Sequence, residues 1–248
     1  ESYLIQITSK IFTIKDEETG EPLVEKIMDR AGQKGTGRWT VLSATELGAV
    51  ISTINAAVEA RILSSVKEDR VAAAPKLNGP SSFAMDISKE ELKQKVHDAL
   101  FASKIISYAQ GMNMLTAASE EYQWGLNMGD IATIWRGGCI IRAQFLNNIK
   151  QAYEKNPKLE NLMLDDYFTG VLNASQQSWR EVVAIAVSNG IAAPAFSASL
   201  AYYDSYRQDR LPANLLQAQR DYFGAHTYER TDKPKGEFFH TEWPEVID

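Results

Sequence analysis

The chain has 248 residues, 44% of them hydrophobic, a formal net charge of −6 and one cysteine, Cys139. That length and composition suit a globular protein with a real core. The acidic balance argues against general nucleic-acid binding, and the single thiol excludes an internal disulfide and fits a reducing cytoplasm. No apolar run reaches the length of a membrane span, and no basic region followed by an apolar stretch reads as a signal peptide. From the N-terminus, Leu4, Ile7, Ile11 and Ile14 form one helical stripe, and Leu23, Ile27 and Ala31 form a short second one after a Gly20/Pro22 turn. A capping box, Ser43 with Glu46, predicts a helix carrying Leu47, Val50, Ile54, Val58 and Ile62 on one face. A second box, Ser88 with Glu91, predicts a long helix through Leu92, Val96 and Leu100 to about Tyr122, with Gly111 as a bend. Further helices are expected from about Asp130 to the stop at Asn156-Pro157, from about Asp166 to Gly190, after Pro194, and from about Pro212 to Phe223, ended by Gly224. No run reads as a strand, so the expected fold is all-α.

Two segments, Ile131 to Ile149 and Val182 to Val187, are apolar on much of their circumference. A helix of that kind is buried or sits at an interface. Arg136 and Arg142 fall in the first segment and are expected to be paired structurally. The tail, 225–248, differs in composition. It holds Pro234, Gly236 and Pro244 together with Tyr228, Phe238, Phe239 and Trp243. Disordered tails are poor in aromatics, so these rings are expected to bury against their own domain or another chain. The expected division is therefore a helical domain, 1–224, and a tail, 225–248.

Ala31 to Thr40 places Gly32, Gly35 and Gly37 around Lys34 and Thr36. Glycine lets the backbone approach a ligand closely, and backbone N–H groups, an ammonium and a hydroxyl can converge on a phosphate. The stretch is neither the P-loop pattern nor the dinucleotide fingerprint. Taken alone, it reads first as a surface turn between helices. Arg61, in the otherwise apolar Ala60-Arg61-Ile62-Leu63, is a second candidate cation or a snorkelling surface arginine. The three histidines, His97, His226 and His240, have no metal-ligand spacing, and no metal is expected.

A second stretch, Gln219-Arg-Asp-Tyr-Phe-Gly-Ala-His-Thr-Tyr-Glu-Arg230, joins the glycine loop in a wider pattern. Glu59 to Ser65, Ser107 to Gly111, Trp135 to Arg142 and Ala201 to Tyr206 agree with it in order. Together they resemble the C-terminal domain of the decarboxylating 6-phosphogluconate dehydrogenases, nearly end to end. The resemblance implies oxidation of the C3 hydroxyl of 6-phosphogluconate with NADP, loss of carbon dioxide from the β-keto acid, and tautomerisation of the enediol to ribulose 5-phosphate. It implies a cytoplasmic homodimer whose tail crosses into the partner, with no nucleic acid or membrane as partner. Lys34 and Thr36 match the family's phosphate loop, and Arg61 matches a phosphate-binding arginine. Arg220 and His226 match residues that reach the partner's active site. The family's coenzyme domain, with its βαβ pattern, and its catalytic lysine and glutamate match nothing in this chain. The resemblance therefore implies a part of a longer enzyme that does not turn over substrate alone. A helical scaffold or sugar-phosphate binding module without chemistry is the alternative.

Overall fold

A 33-residue helix organises the first part of the molecule, and its sequence shows why. In the computed structural model, which describes residues 2–32 and 34–244, Ser88 caps this helix by accepting the Glu91 N–H at 3.1 Å. The helix runs Lys89–Glu121 and is the fifth in chain order. Before it come α1 (Tyr3–Ile11), a 3-10 turn (Leu23–Lys26), α2 (Thr36–Glu46), α3 (Ser52–Ser65) and α4 (Lys67–Ala73). After this long helix, α5, come α6 (Met128–Ile134), α7 (Leu146–Lys155), a 3-10 turn (Leu162–Leu164), α8 (Asp166–Ser188), α9 (Pro194–Tyr206) and α10 (Ala213–Gly224). The chain divides into two units, Glu1–Tyr203 and Asp204–Asp248. The all-α expectation holds: among the described residues ten α-helices stand against one pair of two-residue strands.

Its core is built on α5 and α8, which pack along each other. The buried face of α5 reads Ala99, Ala102, Ile105, Ile106, Ala109 and Met112, a three-and-four spacing rich in alanine. Small side chains leave room, and Phe168, Leu172 and Trp179 of α8 are buried in the same core. The Trp179 indole is wholly enclosed and donates to the Phe196 carbonyl at 3.3 Å. The stripe expected for this helix was Leu92, Val96 and Leu100. Val96 and Leu100 are exposed, because the alanine face, which carries less apolar area, is the one that lets α8 approach.

Three other expectations are corrected. Ser43 and Glu46 lie at the end of α2, not before a helix, because Gly48, at φ +63°, turns the chain out of the helix and α3 begins only at Ser52. The segment expected as one helix from Asp130 is two, α6 and α7, separated at the Gly137-Gly138 pair. Its Ile134 and Ile140 are exposed, so an apolar periodicity crosses a loop here. Within that connection Arg136 donates to Asn147 Oδ1 at 2.9 Å. The Arg142 guanidinium stacks on the Tyr3 ring at 3.7 Å, joining α1 to the loop. Of the second apolar segment, Val182 and Ala186 are buried and Val187 is exposed.

The third correction concerns strands. The second unit takes in α10 as well as the tail, and the tail forms an antiparallel pair, β1 (Tyr228–Glu229) with β2 (Phe238–Phe239). Two-residue strands are too short to show a period of two. Tyr228 lies opposite Phe239, an aromatic cross-strand pair.

The core assignment predicts that Phe168→Ala lowers the unfolding free energy by about 3–5 kcal/mol, while Ile140→Ala changes it by no more than about 0.5 kcal/mol. Denaturant unfolding of the two variants measures both.

Candidate functional site

The first part of the site starts at a buried amide. Helix α3 begins after Ile51, which offers no side-chain cap. Gln110 of α5, fully buried, supplies it: its Oε1 accepts the Thr53 N–H at 3.0 Å, and its Nε2 donates to Ser52 Oγ at 3.0 Å. One of the orphan donors of α3 is thereby satisfied from the core, and α3 is fixed against α5.

From α3, Arg61 and Ser64 reach the glycine loop. Arg61 Nη2 donates to the Gly32 carbonyl at 2.7 Å, and the Ala31 N–H donates to Ser64 Oγ at 3.0 Å. Helix α4 holds the base of the loop. Arg70 donates to Asp29 Oδ2 and to the Asp29 carbonyl, each at 2.9 Å, and Lys67 Nζ bonds Asp29 Oδ1 at 2.5 Å. The hydrogen bonds from Lys67 and then Arg70 hold the Asp29 carboxyl down at about 2.

Beyond this strap the loop presents Lys34, which is exposed and has no ion-pair partner among the described residues. Thr36 is the first residue of α2, and Gly35 before it makes no side-chain cap. The start of an 11-residue helix is thus left without a side-chain cap, two residues after Lys34 and with Thr36 in its first turn, and the positive end of a helix dipole favours an anion. Arg61 is exposed and uses one of its five N–H donors on Gly32. Lys34 and Thr36 thus stand on the loop whose Gly32 carbonyl Arg61 reaches from α3. The loop follows a 3-10 turn, not a strand, so it does not fit the pyrophosphate turn of a dinucleotide site. Among the described residues no three His, Cys, Asp or Glu side chains are grouped to hold a metal ion.

Arg220 and His226 lie in the second unit. Arg220, exposed near the end of α10, donates to Gln217 Oε1 at 3.0 Å, and Gln217 Nε2 donates to the Thr227 carbonyl at 3.5 Å. His226 follows Gly224 and Ala225. A side chain at 224 would meet His226 Nε2 at 2.9 Å, so only glycine lets the ring lie there. Ala225 and Thr227 both adopt left-handed backbone, at φ +48° and +58°. For a β-branched residue such as Thr227 that is a strained conformation.

Sequence reasoning did not single out the residue that holds this turn. The Asp221 carboxylate, fully buried, accepts four bonds. Oδ1 takes the Thr227 N–H and His240 Nδ1, both at 3.0 Å, and Oδ2 takes the Thr241 N–H at 3.1 Å and the Trp243 indole N–H at 2.8 Å. Burial pushes the Asp221 carboxyl up, but the bonds from His240, Thr241, Trp243 and Thr227 outweigh it and hold it well below the usual carboxylate range. One signal was readable. An aspartate in the last turn of a helix opposes the dipole, so its presence there implies donors from elsewhere.

The comparisons with known proteins agree along the chain. Residues 1–243 match the model of the family described as 6-phosphogluconate dehydrogenase, C-terminal domain. An NADP(+)-dependent, decarboxylating 6-phosphogluconate dehydrogenase of Bacillus subtilis is 58% identical over 243 residues, 98% of this chain and 51% of the relative. A decarboxylating 6-phosphogluconate dehydrogenase of Oryza sativa is 54% identical over 242 residues, 98% of this chain and 50% of the relative. The chain thus spans about half the length of these relatives. Among solved structures, 6-phosphogluconate dehydrogenase of Plasmodium falciparum, described in its apo form and in complex with NADP+ and with 6-phosphogluconate, superposes with a TM-score of 0.92. It is 47% identical, over 98% of this chain and 52% of that one.

The tail's anchor is expected to depend on pH. The hydrogen bond to Asp221 raises the His240 imidazole above its ordinary value, and Glu242 faces its other nitrogen at 3.9 Å. The stability from a raised histidine is complete below about pH 6.5 and is lost as pH rises through the folded value. The stability from the depressed Asp221 is present above about pH 4 and is lost as pH falls through its folded value. Exchange of the Thr241 amide, corrected for its intrinsic rate, should therefore speed up as pH rises through the His240 titration. His240→Gln should abolish that rise.

Proposed function

The chain belongs to the 6-phosphogluconate dehydrogenase family as its C-terminal domain, and on that premise we propose that it supplies the substrate-binding and dimer-forming half of an NADP-dependent, decarboxylating 6-phosphogluconate dehydrogenase. The substrate is a sugar acid with a phosphate at one end and a carboxylate at the other. Lys34, the Thr36 hydroxyl and the open start of α2 take the phosphate, and Arg61 adds a planar guanidinium that grips two of its oxygens. The observation that carries this reading is the 2.7 Å bond from Arg61 to the Gly32 carbonyl, which holds the arginine against the same loop as Lys34.

Arg220 and His226 act from the second unit. Arg220 adds to the grip on phosphate, and His226 donates to or accepts from a substrate hydroxyl across a homodimer interface. An exchanged tail is supported by the apolar side chains that the second unit leaves in solvent, among them Leu215, Leu216, Phe223 and Phe238. The coenzyme is assigned to the half of the relatives' length that this chain does not span. The unpaired Cys139 is consistent with a cytoplasmic enzyme.

The test uses the complete gene product with 6-phosphogluconate and NADP+, following nicotinamide reduction together with carbon dioxide release. Both signals are expected. Arg61→Ala and Lys34→Met should each raise KM for 6-phosphogluconate by about ten- to a hundredfold, the size of a lost charge-assisted bond. An active enzyme with KM unchanged in both variants would defeat the phosphate assignment, and a folded product giving neither signal would leave a non-catalytic helical module.

A further inference from the structure

Both residues of the second unit assigned to substrate stand one position before a residue in the Asp221 network. Arg220 precedes Asp221, and His226 precedes Thr227. The 3.0 Å bond from the Thr227 N–H to Asp221 Oδ1 therefore ties the two positions together. A second connection runs beside it. Gln217 accepts from Arg220 through Oε1 and donates to the Thr227 carbonyl through Nε2. The Thr227 hydroxyl also donates to the His226 carbonyl at 2.7 Å. Thr227 is thus held at its N–H by a buried carboxylate and at its carbonyl by an amide that also holds Arg220.

The backbone between the anchors would not stay in place unaided. Ala225 and Thr227 are both left-handed, and no side chain fits at Gly224 beside the imidazole. A conformation of this kind persists only where surrounding bonds over-determine it. Asp221 does so with four bonds: Thr227 at one side of the turn, and His240, Thr241 and Trp243 from the returning tail. Its charge is enclosed and fully hydrogen-bonded, which makes its geometry stiff.

We propose that Asp221 is a positioning residue for the substrate site: through Thr227 it fixes the spacing of His226 relative to Arg220. The inference rests on the assignment of His226 to substrate. Asp221 itself touches no substrate and enters no proton transfer.

A double-mutant cycle on the complete gene product tests it, with Asp221→Asn, His226→Ala and the pair compared for kcat and for KM of both 6-phosphogluconate and NADP+. Asp221→Asn keeps the shape but puts an NH2 group against two donors. It should lower kcat/KM for 6-phosphogluconate by about tenfold or more, with KM for NADP+ little changed. In the His226→Ala background the same substitution should cost less than about threefold, because the residue it positions is gone. An equal factor in both backgrounds, or no loss in either, overturns the proposal, since a merely structural role adds. Trp243→Phe removes one of the four donors and decides the matter if Asp221→Asn does not fold. It should show the same non-additivity at smaller size, and additivity there is equally fatal. A wild-type product that does not turn over 6-phosphogluconate is a different result: it defeats the functional reading and this inference with it.

Discussion

The arrangement of the glycine loop depends on a single buried amide. Gln110 lies on the alanine-lined face of α5 and gives both ends of its side chain to the start of α3. A buried amide must find partners for its oxygen and its nitrogen, and a helix start must find acceptors for its first N–H groups. Each requirement is met by the other. The consequence runs outward: α5 is set by its packing with α8, α3 by Gln110, and Arg61 and Ser64 by α3. Gly32 and Ala31 are held by those two side chains. The loop that carries Lys34 is therefore referenced to the deepest part of the core through one polar contact.

The glycine loop and the His226 turn use opposite kinds of support. The glycine loop is strapped by Asp29, Lys67 and Arg70, in which Asp29 remains more than half exposed. Such pairs are screened by salt and hold loosely. The His226 turn hangs on Asp221, from which water is excluded, and a buried carboxylate keeps its geometry as long as every donor is present. On the proposed function, a loop that accepts a phosphate benefits from give, and a histidine that arrives at a set distance from its target benefits from stiffness.

The sequence made the all-α class legible through long periodic segments and through Ser88, whose cap lies where the pattern placed it. It misplaced the α2 to α3 boundary because Ser43 and Glu46 have capping-box spacing inside a helix, and spacing carries no information about φ. It merged α6 with α7 because apolar residues such as Ile134 and Ile140 continue a helical period across a connection that leaves them in solvent. Lys34, Thr36 and Arg61 were singled out through the glycine pattern and the family resemblance. Asp221 was not, because its importance comes from donors six to twenty-two positions away that only folding brings together. His240 was set aside as a histidine without metal-ligand spacing, and its partner is a carboxylate instead.

The left-handed backbone at Ala225 and Thr227 has a consequence for selection in the laboratory. Residues other than glycine or asparagine at such angles cost of order 1–3 kcal/mol, so a screen for heat resistance alone would be drawn to these two positions. Glycine there would relax the local strain and, by widening the conformations open to the turn, would also release the ring at 226. Thermal robustness and turnover would then move in opposite directions within three residues of chain. Libraries built on this scaffold would do better to leave 224–227 untouched and seek stability in the surface of α1, where Leu4, Ile5 and Ile11 already face solvent.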